Sequence, residues 1–123
     1  MKDPNCIFCK IVAGEIPSRK IYEDNSFLAF IDINPRSPGH SLVIPKDHYR
    51  WVWDVPDAGA YFEVSKKIAL AQQKAFGTEE IWVRITGEEV PHAHIWVLPA
   101  THTPGEKTDL DGNAEKIRQK LRD

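Results

Sequence analysis

Five histidines and two cysteines are the residues of this 123-residue chain best equipped for chemistry. Cys6 and Cys9 form a Cys-x-x-Cys pair and are the only cysteines present. Two thiols so close together suit a metal ion or a redox couple better than a framework of disulfides. His92 and His94 flank Ala93 in the run Val90-Pro91-His92-Ala93-His94-Ile95-Trp96-Val97-Leu98-Pro99. On a strand, alternate side chains share a face. Ala93, Ile95 and Val97 then point into a core, while His92, His94 and Trp96 project together from the other side. Coordinating groups backed by apolar residues make a rigid platform for a site. A His-x-His pair alone is equally what two half-exposed histidines on an ordinary strand would produce.

The elements that must carry these residues can be read from patterning. A short helix is expected over 6–13, ended by Gly14 and Pro17. Strands are expected over 20–23 and 27–33, joined by Asp24, Asn25 and Ser26, and a third over 41–44 before Pro45. The clearest helix covers 57–76, where Tyr61, Val64, Ile68, Ala71 and Ala75 recur at spacings of three and four. Asp57 suits its N-cap and Gly77 its left-handed C-terminus. Two more strands follow over 81–86 and 93–98, then a loop over 99–112. A terminal helix is expected over 114–121, with Ile117 and Leu121 on one side. Hairpin-linked strands with one long helix packed on them predict an α+β domain built on an antiparallel sheet of about five strands.

Bulk properties narrow the function classes. The length suits one domain over 1–123, with a core from 6 to 99, and there is no internal repeat or linker. A formal net charge of −2 with no basic run argues against a nucleic-acid or membrane-surface binder. No stretch is apolar enough to span a bilayer, and the opening MKDPNCIFCK lacks the core of a signal peptide, so a cytoplasmic setting is expected.

Several segments together closely resemble the histidine-triad family of nucleotide hydrolases and transferases. They are Cys6-Ile7-Phe8-Cys9-Lys10-Ile11 with Gly14-Glu15-Ile16-Pro17, then 27–35 (FLAFIDINP) and 37–48 (SPGHSLVIPKDH), and the His92–Pro99 run. The match extends from Cys6 to about Pro99 in the family's order. The resemblance implies that His94 is the nucleophile, attacking the α-phosphorus of a nucleotide to give a nucleotidyl-histidine. An imidazole nitrogen is a competent nucleophile near neutral pH, provided its other nitrogen donates elsewhere. His40 matches a histidine that helps hold the α-phosphate, and Asp32 the residue that accepts from the ribose hydroxyls. Ile7, Phe8, Ile11, Phe30 and Ile33 match the walls around the base, although each would serve equally as core packing. Cys6, Cys9, His48 and His92 match the ligands of a structural zinc in the family's bacterial branch. A purine nucleotide or nucleotide conjugate as ligand, and a homodimer, are implied in the same way.

The pattern departs from the family in three places. Trp96 stands where the third histidine belongs and offers one neutral donor in its place. Glu89 replaces a hydroxyl near the phosphate, and a carboxylate there repels an anion. A phosphate-side asparagine has no counterpart, Arg84 being nearest in sequence, and His102 is the other residue that could fold back as a substitute. Three readings follow: an enzyme working through His94, a nucleotide-binding module without catalysis, and a dithiol redox protein using Cys6 and Cys9.

Overall fold

The computed structural model describes residues 2–122. One five-stranded antiparallel sheet runs in the order β1-β2-β3-β5-β4, with β1 Lys20–Glu23, β2 Phe27–Ile31, β3 Ser41–Pro45, β4 Ile81–Ile85 and β5 Ile95–Pro99. Three α-helices join it: α1 Ile7–Val12, α2 Ala58–Phe76 and α3 Leu110–Arg122. This is the α+β arrangement expected from the sequence.

Alternation along the central strands sorts side chains to two faces. Phe27, Ala29 and Ile31 of β2, Val43 of β3, and Ile95 and Val97 of β5 pack with α2 through Tyr61, Val64, Ile68 and Ala71. Leu28, Phe30, Leu42, Ile44, Trp96 and Leu98 point the opposite way and meet Phe8 and Ile11 of α1. Both faces are covered, so every residue of β2, β3 and β5 is buried.

The long helix forms where its signals lie. The Asp57 carboxylate accepts from the Ala60 N–H at 3.0 Å, and Gly77 closes the helix at φ 62°. Its buried face also carries two polar anchors. The Tyr61 hydroxyl donates to the Val43 carbonyl at 2.7 Å, and the Gln72 amide donates to the carbonyls of Gly39 and Val97. Gln72 therefore ties the start of β3 to β5, two strands drawn from opposite halves of the chain. Gly39 (φ 78°) sits so close to the Phe76 ring that a Cβ would overlap it, so the turn entering β3 requires glycine.

Three boundaries differ by two residues or more from those expected. Strand β2 stops at Ile31 because the Asp32 carboxylate turns to accept from the Asn34 N–H. Strand β5 begins at Ile95, two residues late, because Ala93 N–H donates to the Tyr49 carbonyl outside the sheet. Helix α3 begins at Leu110, four residues early, after Asp109, whose carboxylate accepts from the Gly112 N–H. Leu110, Ala114, Ile117 and Leu121 form one helical stripe against the α2 side of the core, so packing reaches beyond position 99. A short 3-10 turn over Val52–Asp54 had no sequence signal behind it.

Candidate functional site

Helix α1 is capped by Cys6, whose side chain accepts from the Cys9 N–H at the first turn. That geometry aims both sulfurs away from the helix toward the segments around His48 and His92. Cys6 Sγ lies 3.3 Å from His92 Nδ1, and Cys9 Sγ lies 3.5 Å from the same nitrogen. Cys9 Sγ is also 3.4 Å from His48 Nδ1, and the two imidazole Nδ1 atoms are 3.1 Å apart. All four donor atoms lie within 4.8 Å of one another, and three of the four residues are buried.

These separations fit one shared ion. A tetrahedron with bonds of about 2.0–2.3 Å has edges of about 3.3–3.8 Å, and two thiolates with two imidazoles are a donor set suited to zinc. The hydrogen bond behind the cluster fits too: His92 Nε2 donates to the Pro45 carbonyl at 2.9 Å, which leaves the Nδ1 lone pair facing the cluster. Burial holds His92 near a pKa of about 4, and therefore neutral, and pushes the Cys6 thiol above its ordinary value.

Two residues along, His94 has the reverse arrangement. Its Nδ1 lies 2.7 Å from the His92 carbonyl, an acceptor only, so the proton sits on Nδ1 and the lone pair on Nε2. The Phe8 ring packs edge-on against both imidazoles, with centroids 5.7 Å from His92 and 5.3 Å from His94. One aromatic side chain of α1 thus separates the cysteine–histidine cluster from the next feature.

That feature is a cavity of about 370 Å³ between α1 and the sheet. His94, Asp32, Glu89 and Trp96 line it together with Ile7, Phe8, Ile11, Phe30 and Ile33. Its rim is unusually apolar, since Ile33 is 70% exposed and Ile7 45%. Asp32 points one carboxylate oxygen at Asn34 N–H and keeps the other, Oδ2, 3.6 Å from His40 Nε2.

His40 lies next to this cavity. It is fully buried and lies behind the wall, 4.9 Å from the Trp96 ring, while the cavity is lined without it. Its Nδ1 accepts from the Arg36 N–H at 3.1 Å, which puts the remaining proton on Nε2, facing Asp32. Burial lowers its pKa to about 4, against the opposing pull of the Asp32 charge, so the ring is neutral. His40 Nε2 has no hydrogen-bond partner in the structure; Asp32 Oδ2, at 3.6 Å, is beyond hydrogen-bond distance.

Of the two sequence candidates for a replacement charge, His102 lies 3.4 Å from Glu80, outside the cavity. Arg84, paired across from Trp96 on β4, has its guanidinium carbon 5.2 Å from the indole centroid. Arg36 went unrecognised in the sequence: it lines the cavity, and its guanidinium carbon lies 4.5 Å from the same indole. No local pattern marks it, because the contact joins the β2–β3 loop to β5 across the sheet.

With this geometry in view, the chain's relatives are informative. The HIT domain model matches residues 13–103. An uncharacterized HIT-like protein of Methanocaldococcus jannaschii is 41% identical, over 92% of this chain and 98% of its own. The adenosine 5'-monophosphoramidase of Saccharomyces cerevisiae is 34% identical, over 89% of this chain and 76% of its own. Among solved structures, a zinc-bound histidine triad family protein from Mycobacterium smegmatis superposes with a TM-score of 0.85 at 31% identity, covering 96% of this chain and 94% of that one.

Proposed function

This chain belongs to the HIT domain family, whose relatives include hydrolases such as adenosine 5'-monophosphoramidase, and from that premise we propose a nucleotide hydrolase or nucleotidyl transferase working through His94. The base lies between Ile7, Phe8, Ile11, Phe30 and Ile33, where a flat purine covers the exposed isoleucines of the rim. Asp32 Oδ2 accepts from the ribose hydroxyls, and the neutral His40 beside it keeps an unpartnered Nε2–H to offer the α-phosphate. His94 Nε2 attacks the α-phosphorus of a phosphoramidate, adenylate or dinucleoside polyphosphate. The P–N bond forms as the bond to the leaving group breaks, and the imidazole becomes cationic. The His92 carbonyl, already accepting from Nδ1–H, stabilises that charge. Water then displaces the histidine and releases the nucleoside monophosphate.

One observation carries this reading: a histidine on the wall of an apolar cavity, locked by a 2.7 Å hydrogen bond into the tautomer with a free Nε2. Cys6, Cys9, His48 and His92 would hold a structural zinc, which supplies stability to the segment leading into β5 and takes no part in the reaction. The thiols suit a reducing compartment, consistent with a cytoplasmic protein. We also infer a homodimer formed at β4, the edge strand of the sheet, where Trp82 and Val83 are exposed.

A second reading has its own support. Glu89 and Trp96 on the same wall favour a nucleotide-binding module without turnover. Hydrolysis of an adenosine phosphoramidate bearing a fluorescent leaving group separates the two. Activity lost in His94→Ala supports the enzyme; AMP binding by both proteins with no turnover replaces it with the module.

A further inference from the structure

Trp96 gathers more positive charge than the third histidine it replaces could supply. Arg36 and Arg84 both place guanidinium carbons over its ring, at 4.5 and 5.2 Å. Neither guanidinium is paired with a carboxylate among the described residues. A guanidinium resting on an indole is held by its face, and its N–H donors remain free along the edge to meet an oxyanion.

Arg36 also lines a second cavity, of about 420 Å³, on the far side of the β2–β3 loop. This one is polar where the first is apolar. Lys107, Thr101 and Thr108 contribute to it, with Glu106 as its single carboxylate against two cations. In its wall Ser37 and Thr103 are each more than nine-tenths buried, and their hydroxyls have no hydrogen-bond partner. Such a chamber is poorly suited to a base and well suited to phosphate oxygens.

We propose that Arg36, seated on Trp96 between the two cavities, binds the phosphates of a nucleotide chain that continues beyond the α-phosphate, with the Lys107 chamber receiving the distal end. This rests on the reading of the first cavity as the nucleotide pocket. The substrate class it selects is a nucleoside polyphosphate or its conjugate, in preference to a nucleotide whose leaving group is a neutral amine.

Calorimetric titration of the His94→Ala protein, in which turnover cannot confuse binding, tests the assignment with AMP, ADP, ATP and inorganic tripolyphosphate. ADP and ATP are expected to bind about tenfold tighter than AMP, the effect of about one added charge-assisted contact. Arg36→Gln should erase most of that ratio, Arg36→Lys should keep part of it, and Lys107→Ala should remove the further gain from ADP to ATP. Equal affinity for the three nucleotides, or a preference that survives Arg36→Gln, overturns the proposal while leaving the pocket reading intact. Tripolyphosphate binding as tightly as ATP overturns it too, by making the chamber an independent anion seat. Failure to bind any of the three nucleotides overturns the pocket reading on which this proposal rests.

Discussion

The two faces of the sheet are built to opposite ends. The face under α2 and α3 is solid: Tyr61, Ile68, Ile95, Val97 and Ile117 are all fully buried, and its polar groups are anchors of the fold. The face under α1 is covered by a helix of only six residues, and the uncovered remainder is the cavity that His94 lines. The lesson is one of division of labour. The cover of the hollow face carries Cys6 and Cys9, so a metal held by the cysteine–histidine cluster would tie that cover down. If that is so, damage to the two faces should have different signatures.

The largest effect is expected at the cluster. Cys9→Ser should lower stability by at least about 4 kcal/mol, and strong chelation should do the same, because bound metal contributes directly to folding. Nucleotide affinity should fall in parallel, since α1 carries both Cys9 and Phe8. Thermal unfolding with and without chelator reads the first part; retention of full stability would remove the cluster from the account.

On the solid face, Ile68→Ala should cost about 3–4 kcal/mol by leaving a cavity at a fully buried position. Here AMP affinity should stay within about twofold of the parent. A denaturant titration paired with calorimetry checks both, and an equal loss of binding would erase the distinction between the faces.

Acid should act on the hollow face through His40. Its pKa is about 4 in the fold, against about 6.5 in the unfolded chain. Above pH 6.5 neither state is protonated, so His40 contributes no slope. Between pH 6.5 and 4 the unfolded chain takes up a proton that the fold refuses, and stability falls by up to about 3 kcal/mol. The change in stability from pH 7 to pH 5 should shrink in His40→Gln, whatever that variant's absolute stability. An unchanged pH slope would mean that other groups carry it.

The smallest effect is local. Asp57→Ala removes the cap of α2 and should cost about 1 kcal/mol on the solid side without touching ligand binding. A shift in the denaturant midpoint with unchanged slope is the expected signature.

Much of this was legible in the sequence, for identifiable reasons. The period of α2, with Asp57 and Gly77 at its ends, fixes that helix locally. Alternation sends Ala93, Ile95 and Val97 to one face and Trp96 to the other, as expected, even though the strand itself starts only at Ile95. Family motifs brought Ile7, Phe8, Ile11, Phe30, Asp32, Ile33, Glu89, Trp96 and His94 to one wall and the four cysteine and histidine donors to one cluster. What was not legible depends on distance through space. Depth of burial, which takes His40 behind the wall, follows from how Trp96 and Asp32 close over it. Arg36 acquires meaning only from an indole on another strand. The early start of α3 was hidden by Gly112 and Asn113, polar and flexible in sequence but held by Asp109 and Glu106 in the fold.

The Gln72 bridge has a kinetic consequence. Strands β1, β2 and β3 are linked by short connections, and so are β4 and β5, but the β3–β5 seam that Gln72 spans closes a loop across half the chain. Loop-closure entropy must be overcome before that pairing returns any contact energy. The seam should therefore set the refolding rate, and Gln72→Leu should slow refolding far more than it speeds unfolding. A chevron with only its unfolding arm displaced would place the barrier elsewhere.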